Sequence, residues 1–78
     1  MDHNSILQKV IEVTAETLDI DKDSIDETTE FKSLGADSFD LLELVTAFED
    51  ELGYTLEDEA LQQISTIGDV VALAESME

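Results

Sequence analysis

Leu34-Gly35-Ala36-Asp37-Ser38-Phe39-Asp40-Leu41-Leu42-Glu43-Leu44-Val45-Thr46-Ala47-Phe48-Glu49-Asp50-Glu51-Leu52-Gly53 is the stretch that decides the fold. Asp37 stands where a helix N-cap belongs, and Asp40 stands three residues on, where a capping-box acid reaches back to the backbone N–H of the cap. Gly53 occupies the position at which helices end in a left-handed residue, so a helix is expected from Ser38 to about Leu52. At about 100° per residue Leu41, Leu44, Val45, Phe48 and Leu52 gather on one side and form a core face. Phe39, Leu42 and Thr46 gather on another side beside Ser38, bordered by Glu43, Asp50 and Glu49. A helix that packs in a small domain needs one apolar face. A second, narrower one ringed by carboxylates has the composition of a contact surface for a basic, partly apolar partner.

Outward from this helix the pattern stays helical. Leu7, Val10, Ile11, Thr14 and Leu18, widened by Ile6 and Val13, give a first amphipathic helix. From Asp19 to Gly35 the periodicity lapses into Asp, Ser and Thr, which predicts one long ordered loop anchored by Ile20, Ile25, Phe31 and Leu34. Beyond Gly53, Tyr54 and Leu56 are expected to return the chain to the core, and a short helix is expected from Asp58 to Gln63. Thr66 and Asp69 form a second cap signature, opening a last helix that carries Val70, Val71, Leu73, Ala74 and Met77. No strand-like alternation occurs. The expectation is an all-α single domain over residues 1–78, a small four-helix bundle of three longer helices and one short one, with a long loop between the first two.

Charge narrows the function. Twenty-one Asp and Glu against three Lys and no Arg give a formal charge of −18 in 78 residues, a field that repels nucleic acid and draws basic partners or cations. Nucleic-acid binding is excluded on this ground, and neither a signal peptide nor a membrane-spanning run is visible, so a cytoplasmic monomer is expected. Without cysteine the chain has no thiol and no disulfide. Its length leaves little room for an enclosed catalytic pocket, which favours a binding or carrier role.

Ser38 is the candidate reactive residue. At the first turn of a helix its hydroxyl is exposed, and a phosphate attached there meets unpaired backbone N–H groups and the positive end of the helix dipole. Asp37 and Asp40 oppose such a phosphate, so basic groups of a partner, or cations, are expected to screen it. A nucleophilic serine needs a base, and the one histidine, His3, is read as a solvated residue at a frayed amino terminus. Ser38 is therefore read as an acceptor modified by another enzyme. A competing motif, Asp19-x-Asp21-x-Asp23 followed by Glu30, repeats the spacing of a calcium loop, although Ser24 stands where that loop needs glycine. A solvated acidic loop explains the same residues.

The Gly35-Ala36-Asp37-Ser38 segment, with Phe31-x-x-Leu34 before it and Glu43-Leu44-Val45, Glu49-Asp50-Glu51 and Thr66-Ile67-Gly68-Asp69-Val70-Val71 after it, resembles the acyl carrier proteins over essentially the whole chain. The resemblance implies a four-helix bundle and no catalytic activity of its own. It implies that a phosphopantetheinyl transferase attaches 4′-phosphopantetheine from coenzyme A to Ser38, and that acyl chains ride on the arm as thioesters for fatty acid biosynthesis. Acyl-transferring and fatty-acid-synthesis enzymes with basic patches would then dock on Asp37, Phe39, Asp40, Leu42, Glu43, Thr46, Glu49 and Asp50. Leu44, Val45, Phe48, Leu56, Leu61, Ile64 and Val70 would line a space for the chain. No specific metal site is implied. Phe39 in place of the usual leucine, Glu57 in place of a frequent proline, and Ala60-Leu61 in place of a more polar pair keep open a specialised carrier for polyketide, aminoacyl or D-alanyl cargo. A calcium-binding regulatory protein is the more distant alternative.

Overall fold

The computed structural model describes residues 2–53, 55 and 62–76. Three α-helices make the frame: α1 (His3–Leu18), α2 (Ser38–Leu52) and α3 (Ile67–Ser76). Each begins on a side-chain cap. Asp2 accepts from the N–H of Ser5, Asp37 from that of Asp40, and Thr66 Oγ1 from that of Asp69. Helix α2 ends on Gly53 in the left-handed conformation, as expected, and α1 ends on Asp19 in the same conformation at φ 56°. Aspartate is among the few residues other than glycine that tolerate this region.

Helix α1 packs against both α2 and α3. The core cluster joins Ile6, Val10 and Ile11 of α1 to Leu44 and Phe48 of α2 and to Ile67, Val70, Val71 and Ala74 of α3. This is the core face read from the sequence, except that Leu7, Leu18, Leu41 and Leu52 are only half-buried at its margin. The one buried polar side chain among the described residues, Thr14, donates from Oγ1 to the Val10 carbonyl at 2.8 Å and so leaves no polar group unsatisfied inside.

The segment between α1 and α2 is more structured than a loop. Two 3₁₀ turns, Lys22–Ser24 and Phe31–Leu34, divide it, and Ile25 and Phe31 are buried as anchors while Ile20 and Leu34 are half-buried. The Phe31 ring lies 6.5 Å from that of Phe48, inclined at 51°. An isolated antiparallel bridge pairs Glu30 with Thr66, with Phe31 N–H donating to the Ser65 carbonyl and Ile67 N–H to the Thr29 carbonyl, both at 3.0 Å. These bonds hold the loop against the start of α3. Periodicity could not reveal them because both partners lie in irregular segments.

The expected short helix falls mostly outside the described residues, as do Tyr54, Leu56, Leu61 and Met77; Gln62 and Gln63 are helical. Among the described residues no strand is present and no helix is long and apolar enough to cross a membrane.

Candidate functional site

Ser38 is the first residue of α2 and is exposed. Gly35 delivers it. With φ at 82°, a conformation costly for any residue bearing a Cβ, Gly35 closes the second 3₁₀ turn by donating its N–H to the Lys32 carbonyl at 3.1 Å. The next N–H, that of Ala36, returns to the Phe31 carbonyl, and the chain then enters α2 at Asp37.

The capping box is complete. Asp37 Oδ1 accepts from Asp40 N–H at 2.9 Å, and Asp40 Oδ2 accepts from Asp37 N–H at 3.3 Å. The Leu41 N–H bonds to the Asp37 carbonyl. The N–H groups of Ser38 and Phe39, at the mouth of the helix, have no acceptor among the described residues. The first turn thus leaves two open donors beside the serine hydroxyl while fixing both neighbouring carboxylates.

Ser38 lies at the edge of an open groove of about 400 Å³ whose walls include Phe31, Lys32, Ala36, Leu41, Ile64 and Ser65. Ile64 also borders a second groove, of about 280 Å³, with Gln63 and with Asp69, Ala72 and Leu73 of α3. The groove at Ser38 thus offers an apolar wall of Phe31, Leu41 and Ile64 beside the serine, with Glu30 and Asp37 on its polar side. The exposed hydroxyl, the open N–H groups and this groove fit a phosphate-linked arm.

Phe39 is 67% exposed and Leu42 54%, the two large hydrophobic side chains left in solvent among the described residues. Thr46, whose Oγ1 donates to the Leu42 carbonyl, continues their strip. Glu43 and Asp50 are exposed, and Asp40 and Glu49 are half-buried. Neither Phe39 nor Leu42 packs beneath the neighbouring loop. The core face of the same helix, Leu44, Val45 and Phe48, is buried. Of the residues assigned to a space for the acyl chain, Leu44, Phe48 and Val70 are among the fully buried side chains, Val45 is buried, and Ile64 is half-buried at the grooves. Leu56 and Leu61 lie outside the described residues.

One reading from the sequence needs correction, and one alternative can be weighed. His3 is exposed, as expected, but it does not belong to a frayed terminus. It opens α1, with Nδ1 2.7 Å from Glu75 Oε1 of α3 and Nε2 3.2 Å from Glu27 Oε2 of the loop. The hydrogen bond with Glu75, then that with Glu27, raises its pKa. The calcium-type spacing does not assemble a site. Asp19 is taken up as the α1 C-cap, Asp21 Oδ1 accepts from Asp23 N–H at 3.0 Å, and Asp26 closes a local turn by accepting from Thr28 and Thr29. Hydrogen bonds from Thr28 hold the Asp26 carboxyl below the usual carboxylate range. Among the described residues no group of three or more His, Cys, Asp or Glu is placed to hold a metal ion.

The sequence reading overlooked Lys32. It shares the groove with Ser38, and it is the last basic residue in the chain, since no Lys, Arg or His follows it. That position, six residues before the serine in an otherwise acidic half, was the available signal.

Comparison with known proteins agrees with this geometry. The family model described as the phosphopantetheine attachment site matches residues 8–74. The chain is 39% identical over 77 residues to an acyl carrier protein of Lactobacillus acidophilus, covering 97% of this chain and 96% of the relative. The crystal structure of an acyl carrier protein from Thermotoga maritima superposes with a TM-score of 0.81 at 32% identity, over 100% of this chain and 96% of that one. An acyl carrier protein structure from Enterococcus faecalis, described for its high thermal stability, gives 0.80 at 33% identity over the whole of both chains.

Proposed function

Because the chain belongs to the phosphopantetheine-attachment family of acyl carrier proteins, we propose that Ser38 is its attachment residue and that it carries growing acyl chains in fatty acid biosynthesis. The observation that carries the assignment is the placement of one exposed serine hydroxyl at the mouth of α2, beside two open backbone N–H groups and a groove. The protein is a carrier and not a catalyst, and 4′-phosphopantetheine is its prosthetic group.

In this reading Ser38 Oγ, held clear of its surroundings by the Gly35 turn, forms a bond to the phosphorus of coenzyme A that bears pantetheine. The pyrophosphate P–O bond breaks, the adenosine bisphosphate departs, and the serine proton passes to a base of the transferase. The N–H groups of Ser38 and Phe39 would be the backbone donors available to the phosphodiester. When bound, the group supplies the terminal thiol, absent from a chain without cysteine, on which an acyl chain is held as a thioester. Ile64 and Leu41 would give the arm an apolar wall, and Leu44, Val45, Phe48 and Val70 are the described side chains that would separate to admit the acyl chain.

Partners are a phosphopantetheinyl transferase and the synthesis enzymes that meet the strip of Phe39, Leu42 and Thr46 bordered by Asp37, Asp40, Glu43, Glu49 and Asp50. Exposed apolar rings within a carboxylate frame favour a basic patch with an apolar centre. The helical pair Gln62 and Gln63 supports a short helix before α3, completing four. A cytoplasmic location accords with the bacterial relatives. Incubation with coenzyme A, magnesium and a broad-specificity transferase, followed by intact-mass analysis, tests the assignment. One arm is expected on the parent and none on Ser38→Ala, and an arm on that variant overturns it.

A further inference from the structure

We infer that Lys32 is the side chain that pairs with the phosphodiester once Ser38 is loaded; the inference rests on Ser38 being the attachment residue. A phosphodiester at this place enters a strongly negative neighbourhood. The chain carries −18, and the carboxylates of Asp37 and Asp40 are fixed around the serine by their own capping bonds. Two backbone N–H groups soften that repulsion but bring no full charge.

Lys32 brings one. It is exposed in the turn Phe31–Leu34, and the Gly35 N–H bound to its carbonyl folds the chain so that residues 32 and 38 border the same groove. Its ammonium has no ion-pair partner among the described residues, although Glu30 and Asp37 border the same groove. Lys9 is not equivalent, because its Nζ lies 3.5 Å from Glu51 Oε2. Lys22 borders a different groove, beside Asp19 and Asp21. Lysine suits the task, since a compact charge on a long flexible stem can follow a phosphate that moves with the arm.

Lysine acylation mapped by peptide mass, on chain without the arm and on chain loaded at Ser38, tests this. Loading should lower the acylation rate of Lys32 by about two- to fivefold, the range of an exposed ion pair, and leave Lys22 unchanged. Salt at about 1 M, where the screening length falls to about 3 Å, should restore the unloaded rate. Equal acylation of Lys32 before and after confirmed loading overturns the pairing and leaves the Ser38 assignment intact. Protection that survives high salt overturns it also, because the arm would then be covering the amine rather than pairing with it. Absence of the arm from Ser38 overturns both readings together.

Discussion

The backbone N–H of Gly68 donates to the carbonyl of Glu27 at 2.8 Å, and a Cβ on Gly68 would stand 3.0 Å from both that carbonyl oxygen and Glu27 Cγ. Alanine in place of a helical glycine ordinarily stabilises by about 0.5–1 kcal/mol. Here the sign should reverse. The oxygen that would have to retreat is the one the Gly68 N–H holds, so relief of the contact lengthens the bond between the loop and α3. Gly68→Ala is expected to cost about 1–3 kcal/mol in urea unfolding, the range of overpacked sites, and a gain in stability would show that the loop yields freely.

What the sequence disclosed and what it hid divide by the distance between partners. Asp37 with Asp40 and Thr66 with Asp69 are caps that close within three residues, and Gly53 ends its helix by its own conformation, so local rules found them. The separation of Phe39 and Leu42 from Leu44 and Phe48 follows from helix geometry alone. His3 and Glu75 meet across 72 positions, and Phe31 reaches Ser65 between irregular segments, so neither contact leaves a periodic trace. The Asp19, Asp21 and Asp23 spacing, which a solvated acidic loop also explained, has local structural roles instead. Asp19 ends α1 through its backbone, and the Asp21 carboxylate caps the 3₁₀ turn that follows.

His3 should make stability depend on pH near neutrality. Its two ring nitrogens face two carboxylates, and only the imidazolium donates from both. The bond to Glu75 and then that to Glu27 raise the folded pKa above the ordinary 6.5. A raised folded value means the contribution is complete below the unfolded pKa and is lost as pH rises through the folded one. The melting temperature of the parent should exceed that of His3→Gln at about pH 6, and the gap should close by about pH 9. A gap that stays constant across that range would assign the difference to helix packing instead.

Asp69 gives the opposite dependence. Hydrogen bonds from the backbone N–H of Ser65 and then of Thr66 lower its pKa below 3.8. Its contribution is present above that value and lost as pH falls through the folded pKa. Asp69→Ala should cost about 1 kcal/mol at neutral pH, the usual worth of a capping side chain, measured by chemical unfolding. The gap between variant and parent should narrow as pH falls below 3.8.

The two faces of α2 should separate folding from recognition. Leu44 is fully buried, and Leu44→Ala is expected to cost about 2–5 kcal/mol by opening the core. Leu42→Ala removes a side chain more than half exposed and should change stability by under about 0.5 kcal/mol. Unfolding by Leu42→Ala would place that residue in the core and remove it from the docking strip.

Glu43 and Asp50, both exposed on α2 beside that strip, test recognition by charge. Steering by a field of this size acts mainly on encounter, because each carboxylate raises the local concentration of a basic partner before any contact is made. The variant Glu43→Lys with Asp50→Lys should therefore slow transferase loading on the order of tenfold at low salt and much less at high salt, where the field is screened. The fold should persist and gain slightly in melting temperature, since two carboxylates give way to two ammonium groups in a chain at −18. Stopped-flow or quenched loading rates over a salt series, beside a thermal melt, measure both effects. An unchanged rate at low salt in a folded variant would show that the acidic border of α2 does not guide the partner.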